Sequence, residues 1–202
     1  MTTLSDTEAL VCALSTRLIA SATATDTLVA WCEEYGLSHG PITVDVRQRF
    51  APAVVPDEVM AALGPATPEI VHYRQVWLKR GSLALAAAEN WFVPQRLTAD
   101  MNQILNQTDI PFGTVIAPLH PVRRTLVANA GPLADDLVED PAWFSGSAHQ
   151  PHPEIILEHK AMILTGSGTS LALVNEFFFA DLVSFGPPTL PCTEPESVRL
   201  ER

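Results

Sequence analysis

Two charged side chains stand where charge is expensive. Arg74 interrupts the apolar run Tyr73-Arg74-Gln75-Val76-Trp77-Leu78, and Glu176 is a single acid inside Leu173-Val174-Asn175-Glu176-Phe177-Phe178-Phe179. A charge buried without a partner costs several kcal/mol, so each residue either faces water from its element or has work to do. The chemistry open to them is complementary. A guanidinium is a planar fork that holds a carboxylate through two parallel hydrogen bonds. A carboxyl group among phenylalanines has its pKa raised toward neutrality, which suits proton transfer.

Other candidates carry weaker signals. His149, His152 and Glu154 resemble a metal cluster, but the segment His149-Gln150-Pro151-His152-Pro153-Glu154 has loop-forming prolines and no tight HxxxH or HExxH spacing, so no metal is expected. His159 reads as a hydrogen-bonded structural histidine. Arg123 and Arg124 form a basic pair, of which Arg123 reads as solvated. No glycine-rich phosphate loop or dinucleotide fingerprint occurs, and Gly166-Ser167-Gly168 reads as a hairpin turn. Ser145-Gly146-Ser147 lacks the context of a nucleophile elbow. No cofactor is expected.

Composition narrows the partners. The 202 residues carry 12 basic and 23 acidic side chains, a formal net charge of −11. That field repels phosphate backbones and anionic lipid surfaces, so neither nucleic acid nor membrane is an expected partner. A small anionic ligand would need a local cationic pocket, since long-range steering works against it. Three widely spaced cysteines, Cys12, Cys32 and Cys192, read as reduced thiols packing as small apolar groups in a cytoplasm. The stretch MTTLSDTEAL has no basic region followed by an apolar core, so no signal peptide is expected.

The elements that must position these groups follow from periodicity. Residues 5–20 predict an amphipathic helix capped by Ser5, with Leu10, Ala13, Leu14 and Leu18 at helical spacing. A second helix is predicted over 26–35, stopping at Gly36, and a third over 56–64 with Pro56 at its start. Residues 40–50 alternate and read as a strand. Residues 69–80 and 83–94 read as a hairpin about Gly81-Ser82, and 154–183 as a second hairpin. Residues 96–107 predict a helix, 109–119 a turn with a short helical piece, and 123–131 a strand. The stretch 132–153 reads as a mobile connection long enough to act as a lid. The proline-rich 186–202 reads as a flexible tail behind one domain over 1–185. Neighbouring hairpins with few βαβ alternations predict an α+β fold, a single antiparallel sheet with helices packed at one side.

Three segments in this order resemble the chorismate lyase family. They are the strand Tyr73-Arg74-Gln75-Val76-Trp77-Leu78 through Val93-Pro94, the turn Ile110-Pro111-Phe112-Gly113 followed by Arg123-Arg124-Thr125-Leu126, and the late strand Leu173 to Phe178. The resemblance spans about residues 40–183. It implies a cofactor-independent carbon–oxygen lyase that cleaves chorismate to a hydroxybenzoate and pyruvate. It also implies that Arg74 grips the ring carboxylate and that Glu176 meets the far ring oxygen as acid, base or hydroxyl anchor. Phe112 and Gly113 then supply the backbone amide beside the ligand, Ile42 shields it, and Arg124 or Lys160 takes the second carboxylate.

Two departures from the family pattern matter. Glu158-His159-Lys160 stands where some members carry two arginines, and Phe112 replaces a leucine. They keep open a fold relative of secondary metabolism doing elimination, dehydration or cyclisation on another carboxylate-bearing substrate. A non-catalytic ligand-binding module is the third reading, because the scaffold also resembles effector-binding domains attached to some bacterial transcription regulators. The expected partner in every case is a small-molecule carboxylate, with the chain a monomer or homodimer.

Overall fold

A computed structural model of the chain describes residues 5–131 and 153–185. The lid expected over 132–153 and the tail expected over 186–202 lie essentially outside that range, as do His149, His152 and Cys192. The described residues form a six-stranded antiparallel sheet and five α-helices. The strands are β1 (Ile42–Phe50), β2 (His72–Arg80), β3 (Leu83–Phe92), β4 (Val122–Ala130), β5 (Ile155–Leu164) and β6 (Ser170–Phe179). They lie in the order β1-β2-β3-β6-β5-β4. The two hairpins thus sit side by side at the centre, and β6 pairs with β3 to join them.

The helices are α1 (Asp6–Ala20), α2 (Ala24–Glu34), α3 (Asp57–Leu63), α4 (Ala99–Gln107) and α5 (Phe112–Ile116). Local chemistry sets their ends. At α1 the Glu8 amide donates to Ser5 Oγ at 3.3 Å while the Ser5 amide donates to Glu8 Oε2 at 2.7 Å, a reciprocal cap. Helix α2 begins two residues before the predicted start because Thr23 caps it, its hydroxyl accepting from the Asp26 amide. Gly64 ends α3 in the left-handed region, φ 51°.

Strand alternation divides the sheet into two faces. On one face, α1 and α2 pack over Ile42, Val44, Leu78, Ala86, Leu157 and Phe178. Farther along the same face, α4 and α5 pack over Phe92, Ala161, Ile163, Ala172 and Val174. Helix α3 lies against the other face, where Val59 and Leu63 meet Met162 and Leu173. None of these helices is long and apolar enough to cross a membrane. The two clusters on the first face do not merge completely, and the seam between them is where the polar residues gather.

Candidate functional site

A cavity of about 470 Å³, including its open mouth, fills that seam. The sheet supplies its floor through Val44, Val76, Ala88, Asn90, Val174 and Glu176. The start of α2 (Thr23, Ala24, Thr25) makes one wall and Pro111, Phe112, Gly113 and Ile116 make another. The walls touch closely. A Cβ on Gly113 would stand 3.0 Å from Thr23 Cβ, so glycine lets α5 approach the α2 terminus. Among the described residues only two charged side chains line the space, Arg123 and Glu176.

Those two form an ion pair. Arg123 Nη2 donates to Glu176 Oε2 at 2.6 Å, with the side chains 2% and 11% exposed. The pair crosses β5, because Arg123 on β4 sits opposite Ile163 while Glu176 sits opposite His159. Arg123 is not spent by this contact. Its Nε is buried with no hydrogen-bond acceptor among the described residues, and an unmet donor on a guanidinium carries a real penalty. Three uncharged groups, Thr23, Thr25 and Asn90, add polar atoms to the lining. The first amides of a helix also lack intrahelical acceptors, and α2 presents its positive end here.

His159 stands directly opposite Glu176 across the β5–β6 pairing and is fully buried. Its Nε2 meets Ser15 Oγ on α1 at 3.0 Å, while Nδ1 has no partner among the described residues. Burial, reinforced by the charge of Arg123, pulls its pKa down to about 4, so the ring is neutral at neutral pH.

Arg74 behaves differently from the expectation drawn from the resemblance. It lies on the cavity's face of the sheet, in the row Arg74–Asn90–Val174, and its side chain is fully buried. Arg74 and Glu176 therefore share a face, yet Arg74 does not line the cavity. Its Nη1 donates to the Ile110 carbonyl at 3.3 Å and its Nη2 to the Thr108 carbonyl at 3.3 Å. Desolvation, with Arg49 nearby, lowers its pKa to about 10. Arg49, its register partner on β1, reaches the Asn106 carbonyl. The Val44 amide donates to the Asp109 carbonyl at 2.8 Å. Together these bonds fix the 106–110 loop, and that loop delivers Phe112 and Gly113 to the cavity.

Three further candidates sit elsewhere. Arg124 points to the opposite face and is exposed, so the arginine of that pair facing the cavity is Arg123. Lys160 also belongs to the opposite face, where it pairs with Glu58 at 2.9 Å. Ile42 is buried under α1 and α2 but lies outside the cavity, whose nearest β1 residue is Val44.

The strand order with its two central hairpins and the helices gathered mainly on one face is the chorismate-lyase/UTRA-like α+β fold. PhnF from Mycobacterium smegmatis superposes with a TM-score of 0.55 at 9% identity, over 81% of this chain and 66% of that one. The effector domain of PhnF gives 0.53 at 9% identity, over 79% and 89%. The gene product SA0254 from Staphylococcus aureus gives 0.50 at 14%, over 74% and 90%. Identities this low speak for the fold alone. No family model matches the sequence. The uncharacterized protein y4mC of Sinorhizobium fredii is 36% identical over 185 residues, 88% of this chain and 76% of that protein. The chain belongs to the same family as that protein.

Proposed function

We propose that this chain binds a small ring carboxylate in the seam cavity, with Arg123 as the carboxylate anchor. The observation that carries the reading is the Arg123 guanidinium, 2% exposed and, among the described residues, the one cation that lines the cavity. A carboxylate is the ligand group whose geometry meets such a donor edge. The cavity's mixed lining, mostly apolar with a few convergent polar groups, suits a small organic ligand. One solved relative of the fold, itself described as an effector domain, supports the reading. Free Cys12 and Cys32 fit a reducing, cytoplasmic setting.

A catalytic reading rests on one feature, the Glu176 carboxyl on the cavity floor. In a lyase acting on chorismate it would meet the ring hydroxyl or move a proton as pyruvate leaves. The ion pair with Arg123 weighs toward binding over catalysis, because that carboxylate is already engaged in a hydrogen bond. Calorimetric titration with 4-hydroxybenzoate, alongside a pyruvate assay with chorismate, tests both. The expected result is saturable binding that Arg123→Ala weakens by at least about tenfold, the worth of one charged hydrogen bond. Absence of binding by the wild-type protein overturns the proposal. Rapid pyruvate release establishes the lyase.

A further inference from the structure

The cavity holds one cation and one anion, already joined. A ligand carboxylate would therefore be a second anion arriving at a single guanidinium. We infer that ring-carboxylate binding is coupled to proton uptake: the ligand takes the free edge of Arg123, and Glu176 accepts a proton from the buffer. The inference rests on the proposed binding of a ring carboxylate in this cavity and adds its regulation by pH.

The groups facing Glu176 leave few other ways to neutralise the second charge. From β4 comes Arg123, and from β5 His159. On β3 the opposing residue is Ala88, with Asn90 one step along that face. The α2 and α5 walls contribute Thr23, Thr25, Phe112 and Ile116, none of which titrates. Arg74, the next cation on this face, does not line the cavity, and its Nη groups bond the Thr108 and Ile110 carbonyls. Two carboxylates that share one site in a low-dielectric setting do not both stay ionised, and one takes a proton. Glu176 is the one positioned to do so. A proton there turns it from an acceptor on Arg123 into a donor toward the incoming carboxylate, so the hydrogen bonding of the site survives the change. His159 is held neutral by burial, and its orphaned Nδ1 is the competing acceptor.

The test is calorimetric titration of the full chain with 4-hydroxybenzoate in two buffers of different ionisation enthalpy, PIPES and Tris, at neutral pH. The expected result is net proton uptake on binding, with affinity falling as pH rises. In Glu176→Gln the uptake vanishes and the affinity loses its pH dependence. Binding by the wild-type protein with identical heats in both buffers overturns the coupling but leaves the binding proposal standing. Absence of any wild-type binding overturns both. Uptake that persists in Glu176→Gln overturns the assignment to Glu176 and moves the proton to His159. The wild-type measurement is independent of how well the variant folds.

Discussion

Arg74 and Arg123 lie on the same face of one sheet, both with buried guanidinium groups, and they do opposite things. Arg74 sits on β2, inside the sheet, and bonds through both Nη groups to the Thr108 and Ile110 carbonyls, its Nε buried without a partner among the described residues. Arg123 sits on β4, at the sheet's edge, and lines the cavity, its Nε likewise without a partner among the described residues. The difference lies in what the neighbouring backbone offers. The loop after α4 has carbonyls with no helical donor, and two arginines, Arg49 and Arg74, are there to meet them. Among the described residues the side-chain partner of Arg123 is Glu176. Arg74 and Arg123 each keep an unpartnered Nε, so what separates them is position: Arg123 lines the cavity and Arg74 does not.

The largest effect that would break this comparison is on stability. Arg74→Ala removes the donors for the Thr108 and Ile110 carbonyls and opens a void in the core. A loss of about 3–5 kcal/mol is expected in urea unfolding. If Arg74 were instead a ligand group awaiting its partner, its removal would relieve a buried charge and stability would hold or rise.

A smaller effect sharpens the account of the cavity's back wall. His159 is neutral in the folded chain down to about pH 4, whereas an exposed histidine in the unfolded chain takes its proton near pH 6.5. Between those values the unfolded state binds more protons. Stability therefore falls as pH drops through this window, by up to about 1.4 kcal/mol per pH unit from this residue. Unfolding curves of the wild type and His159→Asn across that range should differ in slope, with the variant flatter. Parallel curves would mean that the imidazole is not held neutral.

Much of the scaffold was legible from local rules. The hairpins β2–β3 and β5–β6 followed from alternation and from the turns at Gly81 and at Gly166-Ser167-Gly168, and α1 from the Ser5 cap. Burial of Arg74 and Glu176 was half legible: charges inside apolar strands signal a role but not a partner. What failed was the phase of β4. Val122, Arg124 and Leu126 share one face by period two, and two apolar neighbours suggest that this face is inward. In the fold, Val122 and Leu126 are 50% and 47% exposed, and Arg123, Thr125 and Val127 are the less exposed set. An edge strand takes its phase from its single pairing partner, here β5, through a register that shifts between Thr125 and Val127. No residue of β4 encodes that pairing by itself. The partners of Arg74 were hidden for a similar reason, since they are main-chain carbonyls 34 and 36 residues away. Backbone acceptors carry no sequence signature.

The division of labour between the two arginines is tested most directly by a crystal structure of the protein soaked with 4-hydroxybenzoate. The ring carboxylate is expected within hydrogen-bond distance of the Arg123 guanidinium, with Arg74 still bonded to the carbonyls of Thr108 and Ile110. A carboxylate seated on Arg74, with Arg123 touching only Glu176, would contradict the account.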